Sequence, residues 1–151
     1  YDFKHINLHM IGKLQTNKVK IAVSLFDYIH SLDSLRLAEK ISNEQLKQNK
    51  KLKILIQVNI GEENQKNGIS ISEVGNFYKK CIENFDLNIV GFMCLPPNNE
   101  NVSLYFSKMQ TLVNDVGLGE LSMGMSNDYL EAIKFKSTYL RIGSKIFGSR
   151  S

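Results

Sequence analysis

Short apolar runs and longer amphipathic segments alternate along the chain. The runs predict strands over residues 7–11, 27–31, 54–60, 89–95, 121–124 and 138–142. Between them, apolar residues spaced by three and four predict helices over residues 13–25, 72–85, 102–116 and 126–135, and one helix capped by Asp33 or Ser34. Strands and helices that alternate with short connections favour an α/β fold with a parallel sheet.

The periodicity also predicts which face of each helix is buried. The predicted inner faces are Leu14, Ile21, Ala22 and Leu25; then Leu37, Ala38, Ile41 and Gln45; then Val74, Phe77, Tyr78, Cys81, Ile82 and Phe85; and finally Tyr105, Met109, Leu112, Val113 and Val116. The run at 54–60 is apolar on both sides except for Gln57 and Asn59, as expected of a parallel strand covered on both faces.

Turns rich in glycine and hydroxyl groups follow the last two predicted strands. The turn after the first strand, at residues 12–14, has no GxGxxG pattern, which argues against a doubly wound dinucleotide fold. A phosphate site built after the last two strands is typical of a (β/α)8 barrel. We therefore expect residues 1–151 to form a single partial barrel domain with about six of the eight βα units, the first two being absent.

Composition and charge narrow the class of protein. The chain has 151 residues, 42% hydrophobic and 23% charged, which indicates a globular domain. It has no membrane-length apolar run, and we expect no secretory signal. The net charge of +4 comes from scattered lysines, densest near residues 47–53, where a solvated helix end is favoured over a nucleic-acid surface. Cys81 and Cys94 lack metal-ligand spacing and are expected to be buried free thiols, so we predict a cytoplasmic protein without a metal.

Six blocks of the sequence, in order, carry a resemblance to one family. They are HMIGKLQTNKVK (9–20), IHSLDSLRLA (29–38), ILIQVNIGEENQKNG (54–68), VGFMCLP (90–96), LSMGMSNDYLEAI (121–133) and YLRIGSKIFGSR (139–150). The chain resembles the pyridoxal phosphate homeostasis proteins (YggS/PROSC-like), whose fold is that of the alanine racemase N-terminal barrel. The resemblance implies a type III fold that holds pyridoxal 5′-phosphate (PLP) at the C-terminal mouth of a TIM-type barrel.

The resemblance also implies cofactor-binding residues. Ser126 looks like the hydroxyl that contacts the phosphate, with backbone N–H groups at the start of its helix, and Met125 precedes it. Gly143 and the turn Ile146, Phe147, Gly148 look like the second wall of the phosphate site. Arg141 looks like the partner of the pyridine nitrogen, which a permanent cation keeps unprotonated. No catalytic or metal-binding residue is implied.

Two departures from the family pattern stand out. Family members attach PLP as a Schiff base to a lysine on the second barrel strand, and no segment here corresponds to that strand. We therefore expect a chain that is truncated at its N-terminus and lacks the covalent anchor. Lys136 occupies a position where the family usually has glycine, before the last predicted strand.

The residues alone leave simpler roles open. Ser126 could be only a helix N-cap, and Arg141 could pair with Asp128 or Glu120. Met123 and Met125 are more typical of core filling than of a cofactor site. Gln57 and Asn59 could line a pocket or form a buried hydrogen-bond network.

Three functions follow as hypotheses. The first is a non-catalytic PLP-binding protein that buffers the cofactor and delivers it, with PLP-dependent apo-enzymes as possible partners. The second is an alanine racemase-like, PLP-dependent enzyme fragment, which would need a lysine and a general base that the sequence does not offer recognisably. The third, a nucleic-acid or protein-binding module, rests only on the +4 charge.

Overall fold

The computed structural model describes residues 4–64, 66–98 and 101–149. Six strands form one sheet: β1 (His9–Met10), β2 (Tyr28–Leu32), β3 (Lys53–Val58), β4 (Ile89–Cys94), β5 (Glu120–Met125) and β6 (Tyr139–Arg141). The helices are α1 (Val19–Leu25), α2 (Leu35–Gln48), α3 (Val74–Phe85), α4 (Val102–Val116), α5 (Tyr129–Lys134) and α6 (Ser144–Phe147), and a 3-10 turn covers Thr16–Lys18. Within the described ranges, no helix is both long and apolar enough to span a bilayer.

The sheet is entirely parallel and its strands lie in chain order, from β1 to β6. Every strand pairs with its sequence neighbour, so each connection places a helix or loop over the same face. This order is that of consecutive units of a (β/α)8 barrel and differs from a doubly wound sheet, whose strand order reverses at a switch point. The predicted parallel α/β architecture is confirmed.

The main core lies between the helices and the outward face of the strands. On that face Ile54, Ile56, Phe92 and Leu121 are fully or almost fully buried. Burying one such side chain contributes about 1.5–3 kcal/mol relative to leaving it exposed. The predicted inner face of α2 is confirmed, because Leu37, Ala38, Ile41 and Gln45 are all buried. Gln45 satisfies its amide there by accepting a 2.7 Å hydrogen bond from the backbone N–H of Leu52.

Local signals set the ends of α2. Of the two predicted caps, Ser34 is the one that caps the helix, and its hydroxyl accepts the N–H of Leu37 at 3.2 Å. Asn49 ends the helix with a left-handed backbone at φ 50°. The predicted helices of 72–85 and 102–116 become α3 and α4, and α4 has the predicted bounds.

The predicted first helix is wrong in its start and in half of its face. The chain passes through the 3-10 turn before α1 begins at Val19. Ala22 is buried as predicted, but Ile21 and Leu25 are each 56% exposed. The other buried residues of α1 are Val19 and Val23, so the buried face of the helix is rotated away from Ile21 and Leu25. The 3-10 turn changes the rotation of the following helix relative to a continuous α-helix from residue 13.

The inward face of the strands forms a second, smaller cluster. Tyr28, Leu55 and Met93 are buried together there, and Val90 and Tyr139 pack against them. Backbones come close between β4 and β5, where a Cβ on Gly91 would collide with the carbonyl of Glu120. The glycine is therefore required by the approach of the two strands.

Both cysteines are buried free thiols, as predicted. Burial raises the pKa of each thiol to about 12, so both remain protonated at neutral pH. Neither is suited to nucleophilic chemistry.

Candidate functional site

The carboxyl ends of β5 and β6 lie side by side, and Ser126 connects them. Ser126 directly follows β5, and its nearly buried hydroxyl oxygen accepts two backbone hydrogen bonds, from Gly143 and Lys145, each at 3.3 Å. Gly143 and Lys145 stand in the segment after β6. The hydroxyl and the two N–H groups therefore converge on one small region. Ser126 and Gly143, predicted from separate turns, are brought together by a direct contact.

Ser126 is not the N-cap of the next helix, so that alternative and the predicted start of the helix at residue 126 are wrong. Helix α5 begins at Tyr129 with Asp128 as its N-cap residue. The carboxylate of Asp128 instead accepts the N–H of Met125 at 2.7 Å. This bond closes the turn locally and leaves the Ser126 hydroxyl for the segment after β6.

The residues predicted to form the second wall of the phosphate site, 146–148, form part of a short helix and its end where a turn was expected. Ile146 and Phe147 belong to the short helix α6, and their N–H groups both bond the carbonyl of Gly143 at 2.9 Å. Their side chains are 67% and 85% exposed. Gly148 ends α6 at φ 83°, a backbone conformation that favours glycine. Met125 is 48% exposed, so the core-filling alternative holds for buried Met123 and is wrong for Met125.

Arg141 points across the inward face of the sheet. Its guanidinium donates from Nη1 to the hydroxyl of Ser122 at 2.6 Å and from Nη2 to the carbonyl of Cys94 at 2.8 Å. Burial lowers the pKa of Arg141 from its ordinary value, although an arginine remains charged at neutral pH.

The ion-pair alternatives for Arg141 are not what the structure shows. Among the described residues, the ion pairs do not include Arg141 with Asp128 or with Glu120. Glu120 accepts instead from the phenol of Tyr139 at 2.9 Å.

Three residues for which the sequence predicts no role, Ser122, His30 and His9, continue the contacts of Arg141. The Ser122 hydroxyl also lies 2.8 Å from Nδ1 of His30, and Nε2 of His30 lies 2.9 Å from Nδ1 of His9. Burial lowers the pKa of His30 to about 4, with His9 and the charge of Arg141 acting in the same direction. The pKa of His9 is also lowered by burial, against the charges of Asp27 and Glu120.

Aromatic rings surround this series of hydrogen bonds. His9 stacks on Tyr28, with ring centroids 4.0 Å apart and ring planes inclined by 7°. The ring centroid of Tyr139 lies 5.3 Å from that of His9 and 5.4 Å from that of His30. A signal for these residues was present in the sequence. His30 and Ser122 are polar positions in mainly apolar strands, and in β6 Arg141 shares the parity of Tyr139.

The other polar positions singled out in the sequence separate into two environments. Gln57 is buried, and alternation along β3 places it on the face of Leu55. Asn59 lies beyond β3, where its side chain donates to the carbonyl of Glu63 at 2.8 Å and accepts from the N–H of that residue. Asn59 thus closes the following loop, and Lys66 pairs with Glu63 in that loop at 3.3 Å.

Comparison with known proteins gives the same family from sequence and from structure. The family model "Alanine racemase, N-terminal domain" matches residues 5–151. The pyridoxal phosphate homeostasis proteins of Aquifex aeolicus and Escherichia coli K12 are 38% and 37% identical over 94% of this chain, which matches 66% and 64% of their lengths. The relative of the same name in Haemophilus influenzae is 36% identical over the whole chain and is matched over 69% of its length. The chain thus spans about two thirds of these relatives.

Solved structures agree with this assignment. PipY of Synechococcus elongatus PCC7942, without PLP, superposes with a TM-score of 0.88 at 29% identity, over 96% of this chain and 72% of PipY. The PipY structure with PLP bound gives a TM-score of 0.86 over 95% of this chain and 71% of PipY. Alanine racemase of Bartonella henselae, at 12% identity and a TM-score of 0.74 over 97% of this chain and 41% of that one, shares the fold. The partial barrel is confirmed, and the chain belongs to the alanine racemase N-terminal domain family, among its pyridoxal phosphate homeostasis proteins.

Proposed function

We propose that this chain binds PLP and takes part in PLP homeostasis by holding the cofactor and delivering it to PLP-dependent apo-enzymes, without turnover of its own. Supporting this are relatives named for PLP homeostasis and a structural neighbour, at 29% identity, solved with PLP bound. The observation that carries the proposal is the convergence of the Ser126 hydroxyl with the N–H groups of Gly143 and Lys145.

The residues present fit a phosphate monoester. A phosphate accepts hydrogen bonds from backbone N–H groups and hydroxyls, and these donors come together where two neighbouring parallel strands end. In this structure the Ser126 oxygen is the acceptor for both N–H groups, and an anion would take over that role. Ser126, Gly143 and Lys145 are therefore the residues we assign to the phosphate.

Arg141 fits the ring of the same ligand. PLP supplies an electron-withdrawing pyridine ring when bound, and a permanent cation beside the ring nitrogen disfavours its protonation. The inward face of the sheet presents that cation in a setting of stacked aromatic side chains. Arg141 therefore weakens electron withdrawal by the ring, which suits a carrier better than a transaminase.

Retention of PLP by the purified 151-residue chain tests the proposal. We expect the absorbance band of the conjugated pyridine aldehyde to remain with the protein after desalting, whereas pyridoxal without its phosphate is lost. Ser126→Ala removes a hydroxyl that we assign to the phosphate. A loss of about 1.4 kcal/mol corresponds to a tenfold change in Kd, so we expect PLP binding to weaken roughly tenfold. The control is Ser107→Ala, which removes an exposed hydroxyl from α4. Equal binding of PLP and pyridoxal would overturn the assignment of the phosphate residues.

Two further measurements separate the proposed carrier from an enzyme. Borohydride treatment followed by denaturation should release the cofactor, because we predict that this chain holds PLP without a covalent bond. Covalent retention after reduction would show that one of its lysines reacts with PLP. A measurable rate of alanine racemisation by pure protein would favour the alternative, a racemase-like enzyme fragment.

A further inference from the structure

The hydroxyl of Ser122 occupies a position between a cation and an imidazole. Its side chain is fully buried at the middle of β5. Arg141 Nη1 approaches the oxygen at 2.6 Å, and His30 Nδ1 approaches it at 2.8 Å. His30 in turn contacts His9 through its other ring nitrogen at 2.9 Å. The four side chains come from β6, β5, β2 and β1, so they connect the two edges of the described sheet.

Hydrogen-bond chemistry fixes a direction for this series of contacts. A guanidinium only donates, so the Ser122 oxygen accepts from Arg141. The same oxygen has a second lone pair, but Arg141 and His30 are the partners that the described residues give to this buried hydroxyl, so its own proton is satisfied by donation to His30 Nδ1. Nδ1 must then be unprotonated to accept it. Nε2 of His30 therefore carries the ring proton and donates to Nδ1 of His9. Each donor meets an acceptor, and the direction runs from Arg141 through Ser122 and His30 to His9.

Neutral imidazole is the state that this direction requires. His30 is buried beside the positive charge of Arg141 and beside His9, and these surroundings lower its pKa well below neutrality. The orientation of His9, the last residue in this series of hydrogen bonds, is fixed by its stacking on the ring of Tyr28. The direction is thus maintained at physiological pH.

We propose that Ser122 and His30 are positioning residues for Arg141, whose guanidinium they hold in the single orientation in which it meets the ring of a bound pyridoxal phosphate. This inference rests on the proposed function, since Arg141 is the group assigned to the ring nitrogen. Two of the five N–H donors of Arg141 bind Ser122 and the carbonyl of Cys94. These two contacts fix the guanidinium plane, and an arginine that is pre-organised in this way loses less freedom when a ligand binds.

The first test uses the chain without any ligand. Nitrogen-15 NMR of the histidine rings should show His30 as the neutral Nε2–H form from about pH 8 to pH 5, a window that lies above its lowered pKa of about 4. His5→Gln, which removes an exposed histidine, helps to assign the signals. A proton on Nδ1 of His30 at pH 7, in the neutral or the charged ring, would overturn the proposed direction.

The second test asks whether His30 and Ser122 act through Arg141. We expect Ser122→Ala and His30→Phe each to raise the Kd for PLP three- to tenfold and to shift the absorbance band of bound PLP in the same sense as Arg141→Met. In the Arg141→Met background the same two changes should have almost no further effect. Ser122→Thr keeps the hydroxyl and should restore both affinity and band position, while His5→Gln and Ser107→Ala serve as unaffected controls.

The outcomes separate the inference from the function on which it rests. Equal effects in both backgrounds, or a loss of affinity with no change of the band, would mean that Ser122 and His30 only support the fold, and the inference would be wrong. A wild-type chain that does not bind PLP would overturn the proposed function and the ligand-directed part of the inference. The ring-proton measurement would still decide the direction of the hydrogen bonds. Where His30→Phe does not unfold cooperatively, His30→Gln replaces it.

Discussion

Lys136 has a backbone conformation that opposes its side chain. It lies between α5 and β6 at φ 62°, in the left-handed region. Its N–H bonds the carbonyl of Ile133 at 3.0 Å, and the next residue, Ser137, bonds back to Ala132, so the turn is well defined. An L-residue costs about 1–2 kcal/mol in this region, and glycine does not have that cost. The glycine that the resemblance leads us to expect at this position would avoid that cost.

Lys136→Gly should therefore stabilise the chain. The gain is reduced by the greater freedom of glycine in the unfolded state, which leaves an increase of roughly 0.5–1 kcal/mol in the free energy of unfolding. Urea denaturation measures it. Lys108→Gly, in the interior of α4, is the matched control and should lower the free energy of unfolding by about 1 kcal/mol. A loss of stability for Lys136→Gly would mean that strain at this turn is not the dominant effect.

The proposed site residues differ in how far the sequence could predict them. Ser126 and Gly143 follow predicted strands that are neighbours in a parallel sheet, so their approach follows from topology and is observed at 3.3 Å. The partners of Arg141 do not follow in this way. Ser122 and Cys94 are 19 and 47 positions away, and which strand residues face inward depends on irregular register in β5 and β6 that periodicity does not reveal.

The segment after β6 depends on a single side chain for its connection to β5. Ser126→Ala removes the acceptor for the N–H groups of Gly143 and Lys145. In the absence of ligand, these two amides should exchange with solvent about tenfold faster, which corresponds to about 1.4 kcal/mol of local opening. The amide of Ile146, which bonds to Gly143 within the same segment, should change less.

Hydrogen–deuterium exchange read by NMR checks this, with Ser107→Ala as the control. Unchanged exchange at Gly143 and Lys145 would show that the two contacts contribute nothing to the order of α6 in the free chain.

The sequence predicts helix bounds and buried faces correctly where burial of apolar residues determines them. It does not predict them where the geometry of a short turn determines them. The bounds of α4 and the buried face of α2 follow from their apolar period. The rotation of α1 does not, because three residues of 3-10 helix precede it. Helix α6 has only four residues, all exposed, so it offers no period to detect and the segment was predicted as a turn.

The histidines on the inward face make the stability of the whole molecule depend on pH. Folding lowers the pKa of His30 from its ordinary 6.5 to about 4 and also lowers that of His9. Between about pH 4 and 6.5 the unfolded chain therefore binds more protons than the folded chain, and the free energy of unfolding rises with pH through this window. The groups that face His30 are His9, Tyr28, Ser122, Arg141 and Tyr139.

We expect the His30 contribution to be fully present above about pH 6.5, amounting to roughly 3 kcal/mol, and to be lost as the pH falls towards 4. Urea unfolding between pH 4 and 8 measures the slope. His30→Phe should flatten it, and His5→Gln should leave it unchanged. A wild-type stability that does not fall below pH 6 would show that His30 is not held neutral by its surroundings.

The course of the chain through the whole sheet was the most predictable property. Six strands alternating with helices, without a dinucleotide fingerprint, favoured a barrel over a doubly wound sheet, and the strands lie in chain order. What periodicity could not predict is how strongly the sheet curls, since that depends on contacts between strands that are not neighbours. The β2–β3, β3–β4 and β5–β6 pairs each contain a register irregularity, which adds local twist.

Arg141 has a mechanical consequence that is separate from its charge. It begins on β6, contacts Ser122 on β5 and reaches the carbonyl of Cys94 on β4. Neighbouring strands are about 4.8 Å apart. The Arg141 side chain spans the inward surface from β6 to β4, two strands away. Its fixed length therefore limits the distance between these two strands and, with it, the curvature of the sheet. We therefore expect the same guanidinium that we assign to a ligand also to limit how far this end of the sheet can flatten, and a shorter side chain to remove that limit.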